Sequence, residues 1–185
     1  MKKVFIIHGF NSCPNSSWIP WLMGELKLKD VYACSLAMPN PEAPICSEWV
    51  NEISRHVGLN KNDEIYFVGH SLGVAAILNY LQNSDKSFPG AVLVAGRFEK
   101  SNNPLTENFY KDFDFEIIKS NLKDVSIIHG DNDTLVVVEN AYKLGDKLDK
   151  EPIIIPNGVH LNGSAGWKKL PEVLEELEKM FVKNI

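Results

Sequence analysis

Glu64-Ile65-Tyr66-Phe67-Val68-Gly69-His70-Ser71-Leu72-Gly73-Val74-Ala75-Ala76-Ile77-Leu78 is the stretch on which the fold turns. Its first part, Glu64–Val68, is a short apolar run of the length of a buried strand. From Leu72 to Leu81 the chain is apolar almost all round, as a central helix covered on every side must be. Between them, Gly69-His70-Ser71-Leu72-Gly73 has the form G-x-S-x-G. A serine in a strained strand-to-helix turn presents its hydroxyl, and the flanking glycines let neighbouring backbone pass without a Cβ clash. This context, more than the letters, makes Ser71 a candidate nucleophile.

Five further apolar runs extend the pattern outward: Val4–Ile7, Val31–Leu36, Ala91–Ala95, Val125–Ile128 and Pro152–Ile155. Several are nearly continuous in Val, Ile and Phe, which suits strands covered on both faces. Helix-period segments separate them. Trp18, Trp21, Leu22 and Leu26 share one face, and Trp49, Ile53 and Val57 share another. Ala141, Leu144 and Leu148 mark a further helix, and Leu170, Val173, Leu174, Leu177, Met180 and Phe181 the last. Alternation from end to end predicts an α/β fold, doubly wound, with a mostly parallel six-stranded sheet and helices on both faces. One long connection, 97–124, interrupts the rhythm; its length predicts short helices of its own or a small cap-like insertion. The whole of 1–185 is expected to form a single domain.

Composition narrows the function classes. The chain has 185 residues, 44% of them hydrophobic and 23% charged, which excludes intrinsic disorder. Lys plus Arg number 19 against 24 for Asp plus Glu, a net charge of −5, so no dedicated nucleic-acid surface is expected. The apolar run after Lys2-Lys3 stops at His8-Gly9, too short for a secretory leader, and no run is long enough to span a membrane. Cys13, Cys34 and Cys46 are an odd set without metal-ligand spacing. The expectation is a cytoplasmic protein with reduced thiols, no bound metal and no cofactor.

A serine hydroxyl needs a base to act at neutral pH, and the base needs an acid to orient it. In a fold of this kind the order along the chain is serine, acid, histidine, each in a loop after a later strand. Only His160 follows the last strand; His8 and His129 sit before glycines at strand ends and suit turn or packing roles. The acid belongs in His129-Gly130-Asp131-Asn132-Asp133-Thr134, where Asp133 is favoured because the next helix begins soon after it. Asp131 is expected to cap its own turn. Two backbone N–H groups are needed for the oxyanion. Leu72 supplies one, and Phe10 is the simplest choice for the other, with Asn11 as the alternative. Trp18, Met38 and Trp167, with His70 of the elbow itself, are the candidate substrate-pocket residues.

With these parts placed, the chain resembles an α/β-hydrolase. More narrowly, it resembles the small serine hydrolases of the retinoblastoma-binding-protein-nine and YdeN group. The narrower likeness rests on short length, on Ala37-Met38-Pro39-Asn40-Pro41 after the second strand, and on an early serine elbow. It extends through Asp133 and His160-Leu161-Asn162 to the final helix. The resemblance implies a minimal sheet with little or no lid. Two departures stand out. Larger relatives carry prolines around the acid, whereas Asp133-Thr134-Leu135-Val136-Val137 has none. The Leu-x-Cys-x-Glu motif of the mammalian member is also missing, since Pro44-Ile45-Cys46-Ser47-Glu48 has proline in place of leucine, so retinoblastoma-type pocket-protein binding is not expected. The resulting expectation is a serine hydrolase of small acyl esters, acting through Ser71, His160 and Asp133. The alternatives are a thioesterase or amidase, or an interaction protein on a hydrolase scaffold.

Overall fold

The computed structural model describes residues 1–57 and 62–183, so the expected domain limit at 185 lies outside the described residues. The strands are β1 (Lys2–Ile7), β2 (Tyr32–Ser35), β3 (Glu64–His70), β4 (Gly90–Val94), β5 (Val125–Gly130) and β6 (Ile153–Ile155). The helices are α1 (Ile19–Leu28), α2 (Cys46–His56), α3 (Leu72–Gln82), α4 (Phe115–Ser120), α5 (Glu139–Leu148) and α6 (Pro171–Lys183). All pairings are parallel, in the order β2-β1-β3-β4-β5-β6. Each strand matches one of the apolar runs. The third and fifth run two residues beyond them, because parallel pairing continues through His70 against Val94 and Gly130 against Ile155.

Strand alternation sends every second residue to each face, and here both sets are apolar. Phe5, Ile7, Ile65, Phe67, Leu93 and Ile127 face α2, α3, α4 and α5. Val4, Ile6, Tyr66, Val68, Val92 and Ile128 face α1 and α6. The helix α3 is buried from Leu72 through Leu81, as its all-round apolar surface requires.

The connection 97–124 holds a single 3-10 turn, Glu107–Phe109, and the short α4, whose first turn is capped by the Asp114 carboxylate. It is tied to α3 by Asn79, which is buried in an otherwise apolar helix. Its amide donates to Phe109 O at 2.9 Å and to Ala75 O at 2.8 Å. Phe109 itself stacks edge-on against Trp49 of α2. Among the described residues, no helix is long and apolar enough to cross a membrane.

Topology locates the site. Strand β1 lies between β2 and β3, so the chain leaves β1 toward one side of the sheet and returns on the other. A crevice opens at the carboxyl ends of strands where winding reverses in this way. The loop after β1 and the turn after β3 border that crevice. They touch: a Cβ on Gly73 would lie 2.2 Å from Ile7 O, and one on Gly9 would lie 3.1 Å from Ser71 Cβ. A contact at 2.2 Å with backbone cannot be relieved by a rotamer change. Gly73→Ala is therefore expected to destabilise the fold by about 3 kcal/mol. Gly24 is the contrasting case, an exposed glycine within α1 with open space around its Cβ position. Gly24→Ala should stabilise by about 0.5–1 kcal/mol through helix propensity alone. Urea unfolding of both variants measures the two signs.

Candidate active site

Ser71 sits at φ 54°, ψ −116°, a backbone conformation that a non-glycine residue adopts only when its surroundings impose it. Two contacts impose it. Ser71 N–H donates to Val94 O at 2.9 Å, and α3 starts at the next residue. The hydroxyl is thereby presented to the crevice.

Three loops bring the other groups to it. His160 Nδ1 lies 2.7 Å from Asp133 Oδ2, and His160 Nε2 lies 3.0 Å from Ser71 Oγ. A carboxylate only accepts, so Nδ1 carries the proton and Nε2 is left to accept from the serine hydroxyl. Burial pushes the Asp133 carboxyl up, but hydrogen bonds from His129 and His160 outweigh it. The net effect holds Asp133 well below the ordinary carboxylate range. Its second oxygen accepts from Leu135 N–H at 2.8 Å and Val136 N–H at 3.0 Å, which fixes the carboxylate in the turn.

The sequence-based expectation for Asp131 is corrected here. Its carboxylate reaches across to Asn157 N–H at 2.7 Å instead of capping its own turn. Asn132 Oδ1 similarly accepts from Val159 N–H at 2.7 Å. Three consecutive side chains of the acid loop thus hold Asn157, Val159 and His160 of the histidine loop. The backbones are close enough for this because Gly130 packs on Gly158; a Cβ on Gly158 would meet Gly130 Cα at 2.8 Å. The histidine loop needs such anchors, since Asn157, Val159 and Leu161 all have positive φ, at 55°, 50° and 48°. For β-branched Val159 that conformation is costly.

From the opposite side the loop is held by Trp18 and His70. Trp18 Nε1 donates to Leu161 O at 2.9 Å, and His70 Nε2 donates to His160 O at 3.0 Å. Trp18 is fully buried in doing so, Met38 is buried beside His8, and Trp167 packs against the core. None of the three lines the cleft at Ser71, because each is committed to packing or backbone contacts. Of the expected pocket residues only His70 borders it.

On the other flank, His8 Nε2 accepts from Met38 N–H at 3.3 Å, and Asn11 N–H donates to Pro41 O at 2.7 Å. The Met38–Pro41 segment therefore braces the loop after β1, and it takes up the Asn11 amide. Among the described residues no hydrogen bond engages Phe10 N–H or Leu72 N–H. The cleft, about 630 Å³, is bordered by Phe10, Ser71, Leu72 and His160. Its outer wall holds residues that the sequence pattern did not single out, among them Ser12, Arg97, Tyr110, Asn162 and Lys168. They lie in polar loops without periodicity, and only the threading of those loops around the elbow brings them together. Chemically, the arrangement can move a proton from a serine hydroxyl to an imidazole backed by a carboxylate, beside two unengaged backbone donors.

These features coincide with a known class. A family model for serine hydrolases matches residues 4–179, and the chain belongs to that family. It is 32% identical over 188 residues to the YdeN protein of Bacillus subtilis (strain 168), covering 99% of this chain and 98% of that one. The crystal structure of the ydeN gene product superposes with a TM-score of 0.91 at 30% identity, covering 98% of this chain and all 100% of that chain. The fold is shared more distantly: Est1E from Butyrivibrio proteoclasticus with ferulic acid bound gives a TM-score of 0.75 at 15% identity, covering 100% of this chain and 89% of that one. The protein is thus a hydrolase of the α/β type in the YdeN-like group.

His70 provides a test of this packing. Burial, helped by the neighbouring His160, lowers its pKa from 6.5 to about 4. Between those values the unfolded chain binds a proton here that the folded chain refuses. Stability therefore falls as pH drops from 6.5 toward 4, by about 3 kcal/mol from this group. His8, lowered by burial, adds loss in the same direction. We expect His70→Gln, which cannot titrate, to show a visibly shallower decline in urea-unfolding free energy across that window than the parent protein.

Proposed function

We infer that the protein hydrolyses small carboxylic esters through a covalent acyl-serine. The observation that carries this is the continuous hydrogen-bonded line from Asp133 through His160 to Ser71, at 2.7 and 3.0 Å, ending on a serine at φ 54°. Ser71 Oγ attacks the ester carbonyl as His160 Nε2 takes its proton. Asp133 holds the imidazole in the required tautomer and stabilises its cationic form. Negative charge grows on the carbonyl oxygen, and the Phe10 and Leu72 amides receive it, Leu72 at the positive end of α3. His160 then returns the proton to the departing alcohol. Water, deprotonated by the same imidazole, repeats the sequence on the acyl-enzyme and releases the acid. Phe10 is preferred over Asn11 as a donor because the Asn11 amide is engaged by Pro41.

The rest of the reading follows from the same layout. We take the chain as one hydrolase domain in which 97–124 forms a small side wall of the cleft, and we place it in the cytoplasm with its three free cysteines reduced. The wall contributes mainly polar groups to the cleft, so short acyl groups suit it better than long ones.

Three outcomes test this. Ser71→Ala should abolish fluorophosphonate labelling and lower ester turnover by about 10⁶ in kcat, with the fold intact by circular dichroism. Failure of the parent protein to label would favour an interaction protein on a hydrolase scaffold. Asp133→Asn should cost about 10⁴ in kcat by analogy with other triads. Asp131→Asn, which only anchors the loop, should cost far less; the reverse order would reassign the acid. Across nitrophenyl esters of graded length, kcat/KM should be highest from acetyl to hexanoyl, with no jump above the micellar concentration. A steady rise to palmitoyl would require a long apolar channel.

A further inference from the structure

The charges around the cleft have one sign. Arg97, from the connection after β4, and Lys168, from the connection after β6, both border it, and no aspartate or glutamate is among its bordering residues. This holds in a chain whose net charge is −5, so the cleft departs from the protein's overall balance. Arg97 follows β4, and its Nη2 donates to Leu135 O at 2.7 Å, which orients the guanidinium beside the acid loop. Lys168 follows the 3-10 turn Gly163–Ala165, and its Nζ would stand 3.6 Å from a Cβ on Gly163. Most other lysines near carboxylates are paired, as Lys3, Lys29, Lys119, Lys143, Lys150, Lys179 and Lys183 are. Neither Arg97 nor Lys168 has such a partner among the described residues. The acid closest to the chemistry, Asp133, has no exposed side-chain surface and is already bonded to His160.

The intervening surface is hydroxyl and amide, including Ser12, Thr106, Tyr110 and Asn162. Burial pushes the Tyr110 phenol up to about 12 against the opposing pull of Arg97, so it stays a neutral donor at working pH. A long aliphatic acyl chain would desolvate these polar groups without replacing their water contacts. A compact substrate with its own charged oxygens would pair with the two cations and keep the hydroxyls hydrogen-bonded.

We propose that the substrate is an ester bearing a second, negatively charged group, which Arg97 and Lys168 hold while Ser71 attacks the ester carbonyl. This rests on the hydrolase reading of Ser71. The negative group can be a carboxylate on the acyl side or on the alcohol side, and paired probes separate the two. Mono-4-nitrophenyl adipate is compared with 4-nitrophenyl hexanoate for the acyl side. For the alcohol side, 4-(butyryloxy)benzoate is compared with its methyl ester.

On one arm the charged ester should be preferred in kcat/KM by at least about fivefold, the scale of one well-placed ion pair. That preference should shrink as sodium chloride is raised, since the Debye length falls to about 3 Å at 1 M. Lys168→Gln, an exposed change with no structural bond to lose, and Arg97→Gln should each bring the charged-to-neutral ratio toward one. Equal or better turnover of the neutral ester on both arms would overturn the proposal, as would a preference that neither salt nor either variant reduces. If no ester turns over, protection of Ser71 from fluorophosphonate labelling by monomethyl adipate against methyl hexanoate reads the same preference. Equal protection there would also overturn it. A parent protein that neither labels nor turns over any ester fails the hydrolase reading, and the proposal falls with it.

Discussion

The first turn of α3 lies so close to the end of β1 that no side-chain atom fits between them. Gly73 faces the Ile7 carbonyl at a distance where a Cβ would stand 2.2 Å away, and Gly9 meets Ser71 from the other side. This close approach makes a single site from two strands that neighbour each other only because the winding reverses between them. It puts the loop after β1 within reach of the serine, and it holds the Phe10 and Leu72 amides on one border of the cleft. The remaining parts of the site are arranged around that fixed pair.

The histidine loop illustrates how a local cost is carried by its surroundings. Three residues with positive φ in five positions would not hold that shape alone. Asp131, Asn132 and Asp133 bond to it from one side, and Trp18 and His70 from the other. His160 is therefore positioned through its backbone neighbours as much as through its own ring. Asp133 and His70 are buried polar groups that serve this loop as anchors, with the His70 pKa lowered by its burial.

Much of this was legible in the sequence because it rests on short-range chemistry. Short, near-continuous apolar runs mark strands, all-round apolarity marks α3, and the elbow occupies the junction between β3 and α3. Ser71 and His160 are readable from strand order, and Asp133 from its place before the next helix. The pocket residues were less legible, and for a physical reason. Trp18, Met38 and Trp167 look like pocket candidates because they are large and apolar, yet in a small domain such side chains are needed for the core. The surface of the cleft is made by polar loop residues such as Arg97, Asn162 and Lys168, whose convergence depends on tertiary threading and leaves no periodic trace. Asp131 was misplaced for the same reason, since its partner Asn157 lies 26 positions away.

The position of His160 after the last strand bears on synthesis. His160 is made 89 positions after Ser71, and Asp133 between them. At about 5–20 residues per second, the nascent chain carries Ser71 for several seconds before His160 exists to bond to it. The edge strand β6 must then dock on β5 before the histidine loop can reach the acid loop. A chain interrupted anywhere before that step holds Ser71 without the imidazole it is bonded to in the folded protein. The hydrogen-bonded line from Asp133 through His160 to Ser71 thus closes only when the sheet is complete.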